Sequence, residues 1–147
     1  MLIAATDKGV CSIQFGRSDG ELLEGLKQEF PFALRKQDEG GLHSWASALL
    51  KHMAGKNLDA SLPLDIRATA FQRQVWTYLQ SIPFGQTKSY SEVAHAIGRP
   101  SACRAVARAC AANPVAVEIP CHRVVREDGT MGGYRWGLER KKALLHM

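Results

Sequence analysis

Apolar and polar residues alternate near the start of the chain and then fall into helical spacing. Cys11, Ile13 and Phe15 alternate with Ser12 and Gln14, the pattern of a half-buried strand. Leu2 to Ala5 makes a hairpin partner for it across Asp7, Lys8 and Gly9. The first strand begins almost at Met1, which suits a piece excised from a longer protein. Leu22, Leu23, Leu26 and Phe30 recur at helical intervals, as do Leu42, Trp45, Ala46, Leu49, Leu50 and Met53. Arg35 to Gly41 is the polar loop between these two helices, Gly55 to Ser61 a turn-rich linker, and Leu62 to Ile66 a short extended piece. Residues 1–66 therefore form a small α/β subdomain.

A second unit, 67–147, is mostly helical. Thr69 and Gln72 have the spacing of a capping box. The helix it opens carries Phe71, Val75, Tyr78, Leu79 and Ile82 on one face, and Pro83 to Gly85 stops it. Ser89 and Glu92 form a second capping box before Val93, Ala94 and Ile97. Gly98 can end that helix in the left-handed conformation. Pro100 fits the first position of the next helix, which runs through Arg104, Val106 and Cys110 to about Ala111. Two short helices joined by a glycine turn are a helix-turn-helix candidate. The second is rich in alanine, with Arg104 and Arg108 projecting. Small residues there suit either plain helix packing or close approach to a nucleic acid surface, where arginines engage phosphate or a groove. Asn113-Pro114 ends this helix. Val115 to Ile119 is expected to be extended, Val124 and Val125 to be strand, and Asp128-Gly129 to be a turn. Gly132 to Gly137 is a glycine-flanked aromatic loop, and Leu138, Leu144 and Leu145 begin a last helix.

Composition narrows the function classes. The chain has 147 residues, of which 46% are apolar, so disorder is not expected. A net charge of +5 and a sequence pI near 9.2 suit a polyanionic partner without requiring one. No apolar run is long enough to cross a bilayer, and the first eight residues have neither the basic start nor the apolar core of a signal peptide. A cytoplasmic, nucleoid-associated protein is expected. The four cysteines, Cys11, Cys103, Cys110 and Cys121, form no C-x-x-C pair, and His122 alone among the histidines is next to one. No metal site is expected.

Candidate chemistry centres on Pro120, Cys121, His122 and Arg123. A free thiol is only slightly ionised at neutral pH, and a neighbouring histidine can take its proton, directly or through a water. Consecutive side chains of an extended chain point to opposite sides, so His122 would act after a local turn or through water. Asn113 could order the turn that holds Cys121. Alone, a Cys-His pair is more often a buried structural thiol beside a polar residue. A papain-like arrangement does not fit, because only His146 lies downstream.

The longer segment from Asn113 to Val125, with Pro120-Cys121-His122-Arg123 inside it, resembles the active-site signature of the O6-alkylguanine-DNA alkyltransferases. The resemblance continues through Gly132 to Leu138, Phe71 to Trp76, Ile82 to Ala94 and Arg104 to Val106. Gly9 to Ile13 and Leu62 to Ile66 resemble the C-terminal half of Ada-type adaptive-response proteins. The resemblance implies a ribonuclease H-like roll for the first subdomain and a winged helix-turn-helix-like second subdomain. It implies direct-reversal repair: binding of duplex DNA containing O6-alkylguanine, flipping of the base, and a single transfer of the alkyl group to Cys121, with O4-alkylthymine as a further substrate. A monomer without cofactor is implied, reacting once, since a thioether is a poor leaving group. Two alternatives are a DNA-binding regulatory domain of an Ada-type transcription regulator and a damage-recognition protein without chemistry. Relatives of the latter kind lack the cysteine.

Carried over by position, Cys121 is the acceptor, His122 deprotonates it through a water and Asn113 supports the turn. Arg104 fills the space left by the base, and Tyr90 presses the target phosphate. Ser89, Ala102 and Cys103 are further DNA-facing positions. Tyr134 bonds to the base, and the carbonyls of Cys121 and Val124 accept from its amino group. The backbone N–H of Arg135 faces the leaving oxygen, and Trp136 narrows the pocket towards methyl groups. The family pairs its histidine with a glutamate that falls just after Met147. Either the sequence is trimmed before that glutamate or the relay is incomplete, and only if the native chain ends at Met147 is slower alkyl transfer expected.

Overall fold

The computed structural model describes residues 1–54 and 62–147. The expected linker at Gly55–Ser61 lies outside the described residues. Strands β1 (Leu2–Ala5) and β2 (Val10–Gln14) pair antiparallel, Ile3 opposite Ile13, with a bulge between Ala4 and Ala5. Gly9 closes the turn where the chain leaves room for nothing larger: a Cβ there would sit 2.5 Å from the Pro63 carbonyl oxygen. On its other side β2 runs parallel to two separate segments. Val10 donates to Pro63 at 2.8 Å and accepts from Asp65 at 2.9 Å. Ile13 donates to Pro114 at 2.9 Å and accepts from Ala116 at 3.1 Å. The extended piece at Leu62–Ile66 and the approach to the cysteine thus both lie against β2.

Helices α1 (Asp19–Glu29) and α2 (His43–Met53) follow as the spacing predicts. Both predicted capping boxes form in full. Thr69 and Gln72 exchange hydrogen bonds of 2.9 and 3.1 Å at the start of α3 (Ala70–Gln80). Ser89 and Glu92 do so at 2.6 and 3.0 Å before α4 (Tyr90–Ala96). Gly98 has φ of 72°, and the Arg99 N–H reaches back to the Ala94 carbonyl, closing α4 as expected.

Two local expectations are corrected. Pro100 does not open the next helix. It lies in a turn closed by Ala102 donating to Arg99, and α5 spans Cys103–Ala111 with no side-chain cap. Proline's fixed φ serves a tight turn as well as a first helical position, and sequence alone does not separate the two. Val115 to Ile119 is not extended. Only Val115 pairs as strand, and the chain then turns at Val117, a β-branched residue at φ of 71°. Glu118 donates to the Ala116 carbonyl at 2.8 Å across that turn.

A small parallel pair joins β3 (Lys88–Ser89) to β4 (Val124–Val125), and α6 (Leu138–Leu145) closes the chain. One apolar core joins both sequence units, from Val10, Ile13 and Leu49 to Val75, Leu79, Val93, Val106, Val115, Ile119 and Leu144. No helix among the described residues is long and apolar enough to cross a membrane.

Candidate active site

Cys121, His122 and Arg123 form a single 3-10 turn, so Cys121 does not sit in an extended strand. The Cys121 N–H donates to Ile119 at 2.8 Å and the Arg123 N–H to Pro120 at 2.9 Å. Asn113, fully buried at the end of α5, holds the turn from behind. Its Nδ2 donates to the Ile119 carbonyl at 2.8 Å and lies 3.1 Å from the Cys121 sulfur. Its Oδ1 accepts from Val115 at 2.9 Å. The amide thus fixes both ends of the loop at Val115–Ile119 and meets the Cys121 sulfur.

Cys121 is 4% exposed. Burial pushes its thiol up to about 11, against the Asn113 amide and the nearby Lys141 charge, which favour the thiolate. Burial pulls His122 down to about 3, assisted by Arg123, Lys141 and His52. At neutral pH the resting pair is therefore a thiol and a neutral imidazole, and the imidazole is in the form that can accept a proton. The Nδ1 of His122 is buried without a hydrogen-bond partner among the described residues, so that edge is available to an orienting acceptor.

The aromatic loop closes over this turn. Tyr134 and Trp136 meet edge to face at 5.2 Å, and Phe15 meets Trp136 at 6.2 Å. The Tyr134 hydroxyl is buried without a partner, and burial raises its pKa, so it stays a neutral donor. Tyr90 is half-buried, held at about 12 by its burial, and packs against Gly132: a Cβ there would come within 3.0 Å of the hydroxyl. Gly132 thus brings this loop and α4 together.

Sequence reasoning missed three groups. Lys141, fully buried, donates to the carbonyls of Val124 (2.6 Å), Met131 and Gly133 (3.3 Å). One cation ties the end of the cysteine turn to the aromatic loop. The available signal was its place three residues from both Leu138 and Leu144, inside the apolar stripe of α6. Arg123 is buried, donates to Ile82 at 2.7 Å and lies over the Phe84 ring. The Arg135 side chain reaches the Asn113 carbonyl at 3.0 Å, whereas the sequence pointed only to its backbone.

Among the predicted DNA-facing positions, Arg104 is exposed on α5, and Ala102 and Cys103 are half-buried at its start. Cys103 Sγ is 4.0 Å from Ser91 Oγ on α4. Ser89 is different. It is buried and its hydroxyl caps α4, so its side chain is not presented at the surface. Arg104 and Arg108 give α5 an exposed basic face.

The chain is similar to known proteins along most of its length. Residues 70–147 match the family model for the 6-O-methylguanine DNA methyltransferase DNA-binding domain. The Bifunctional transcriptional activator/DNA repair enzyme Ada of Escherichia coli is 48% identical over 144 residues, 98% of this chain and 41% of that protein. The chain thus spans about two fifths of that relative's length. The inducible methylated-DNA–protein-cysteine methyltransferase of Bacillus subtilis is 40% identical over 99% of this chain and 82% of its own. Among solved structures, Mycobacterium tuberculosis OGT in complex with DNA superposes with a TM-score of 0.79 at 33% identity, over 98% of this chain and 83% of that one. The family model over residues 70–147 and the agreement with these relatives along nearly the whole chain establish that this protein belongs to the 6-O-methylguanine DNA methyltransferase family.

Proposed function

We propose that the protein repairs duplex DNA by moving the alkyl group of O6-alkylguanine, and of O4-alkylthymine, onto Cys121 in one turnover. The observation that carries this is the buried Cys121 sulfur, held 3.1 Å from the Asn113 amide and followed on the same turn by a neutral imidazole. His122 takes the thiol proton through a water. Sγ attacks the methyl carbon, the C–O bond breaks, and its electron pair stays on O6. The proton held on His122 then restores neutral guanine. The Asn113 amide and the Lys141 charge stabilise the anion that forms on sulfur.

The remaining roles follow from position. Arg104 enters the stack in place of the flipped base, with Ala102 and Cys103 allowing close approach. Tyr90 acts at the rotated nucleotide, and Tyr134 donates to the base. The Cys121 carbonyl accepts from the Val124 N–H and the Val124 carbonyl from Lys141, which orients both oxygens to accept from the base amino group. The Arg135 N–H meets the departing oxygen. The two sequence units, 1–66 and 67–147, correspond to a ribonuclease H-like roll and a winged helix-turn-helix. The protein acts as a cytoplasmic monomer on DNA, without cofactor. A purely regulatory DNA-binding domain would have no use for a buried thiol held by an amide, which favours the repair reading.

Intact-mass measurement after incubation with an O6-methylguanine duplex tests this. A gain of one methylene unit, absent in Cys121→Ala, is expected. Retained DNA binding with no mass gain would overturn it.

A further inference from the structure

The first subdomain holds a polar cluster that the chemistry above does not use. Glu29, at the end of α1, is partly buried. Its Oε2 accepts from Gln14 Nε2 at 2.5 Å and from Ser12 Oγ at 3.1 Å, both on β2. Gln14 also bonds to Ser12 at 3.0 Å, so two mutually bonded side chains of one strand hold the same carboxylate oxygen. The same oxygen lies 3.6 Å from an Arg135 nitrogen. The other end of that guanidinium donates to the Asn113 carbonyl at 3.0 Å and faces the Trp136 ring at 5.5 Å. A second arginine repeats the arrangement: Arg140 donates to Trp136 at 2.9 Å and to Gly16, just beyond β2, at 3.1 Å. The loop bearing Tyr134, Arg135 and Trp136 is thus clasped to the first subdomain at two points.

We propose that Glu29 is a positioning residue for alkyl transfer, acting through Arg135 to fix the loop whose backbone N–H meets the departing oxygen. Three observations support this. The carboxylate is anchored before Arg135 reaches it, so it provides a fixed point rather than a second flexible partner. The guanidinium is planar and forked, so Glu29 and the Asn113 carbonyl together define its plane. The other end of that fork donates to Asn113, the residue that also braces the cysteine turn. Glu29 therefore sets loop and thiol in one frame, and a small misplacement of a donor is costly in a displacement reaction. This gives the first subdomain a share in the chemistry, although it contributes no group that touches the base.

The proposal rests on the alkyl-transfer reading, and the test separates the two. Single-turnover transfer from an O6-methylguanine duplex at saturating DNA is measured for the whole chain, for Glu29→Gln and for Glu24→Gln. Glu24 lies on the same helix in a surface pair with Lys27. Methylation of Cys121 by iodomethane, followed by peptide mass mapping, reports the thiol without the leaving oxygen. Affinity for unmodified duplex reports DNA contact. Glu29→Gln is expected to slow transfer about tenfold while iodomethane reactivity and duplex affinity stay within about twofold, and Glu24→Gln to match the parent chain. Unchanged transfer in Glu29→Gln overturns the proposal. So does a parallel fall in iodomethane reactivity, which would place the loss in the thiol. So does a shift in duplex affinity with normal saturated transfer, which would make Arg135 a phosphate contact. Should Glu29→Gln fail to fold, Arg135→Lys carries the test. It keeps the charge but not the fork, and a normal transfer rate there overturns the proposal equally. Absence of transfer by the parent chain would instead overturn the alkyl-transfer reading itself.

Discussion

Replacing Lys141 by methionine removes a fully buried charge while keeping most of the side-chain volume. Two effects oppose each other. Burial lowers the Lys141 pKa, so the ammonium is desolvated at some cost, and methionine recovers that cost. Against this, three carbonyls lose their donor. The Val124 carbonyl belongs to a fully buried residue, and the loss of its donor costs about 2 kcal/mol. Met131 and Gly133 lie nearer the surface and rehydrate, adding at most about 1 kcal/mol together. The carbonyl losses reach about 3 kcal/mol together, and the recovered desolvation is taken to offset about 1 kcal/mol of them. A net destabilisation of about 2 kcal/mol is expected, which at roughly 3 °C per kcal/mol for a chain of this size lowers Tm by about 6 °C. The assay is thermal unfolding of Lys141→Met beside Lys142→Met, which alters an exposed neighbour. Transfer activity should fall as well, because the cysteine turn and the aromatic loop lose their shared anchor. A Tm drop no larger than that of Lys142→Met would refute the reasoning and mean that the ammonium brings no net hydrogen-bonding gain.

Further outcomes follow from the same site. His122 is held near 3 in the folded chain against about 6.5 when unfolded, so below pH 6.5 the unfolded chain binds the extra proton. Stability is fully present above that pH and should fall by about 2 kcal/mol between pH 7 and pH 5, read from urea midpoints; His122→Asn should lose most of that slope, His52 supplying the rest in the same direction. Asn113→Ala leaves the Ile119 carbonyl and the Val115 N–H unpaired, so about 3 kcal/mol of stability should be lost, and iodomethane should react more slowly with Cys121. Normal thiol reactivity would remove Asn113 from the chemistry. Trp136→Ala should speed reaction with O6-benzylguanine relative to the methyl substrate, and an unchanged ratio would mean that the ring does not limit pocket size.

The sequence revealed much of the fold because many of its signals are local. The two capping boxes and the Gly98 terminus need only residues three to five positions apart, and each forms as the spacing predicts. Cys121, His122 and Asn113 were legible through a contiguous motif. The failures lie where distant chain segments decide. Val115 pairs with Ile13, and the chain then turns instead of continuing, because the next residues must deliver Cys121 to Asn113. Lys141 was hidden inside the run Arg140-Lys141-Lys142, which as sequence resembles a solvated helix face. Glu29 and Arg135 were illegible as a pair, since nothing local connects the end of one helix with a loop a hundred residues later.

The pairing of β2 with the approach to Cys121 also sets an order of assembly. Ser12 and Pro114 meet across 102 residues of sequence, whereas α3, α4 and α5 pack against near neighbours in the chain. Closing so long a loop costs roughly 4 kcal/mol of chain entropy before any contact is made. The helices can therefore form early, while the loop at Val115–Ile119 becomes defined only when the first residues of the chain return to it. Until that moment Cys121 is an ordinary solvated thiol, and the turn proposed to accept the alkyl group is among the last parts of the molecule to exist. Refolding followed at once by helical signal and by Cys121 protection from a thiol reagent should show protection lagging behind helix formation.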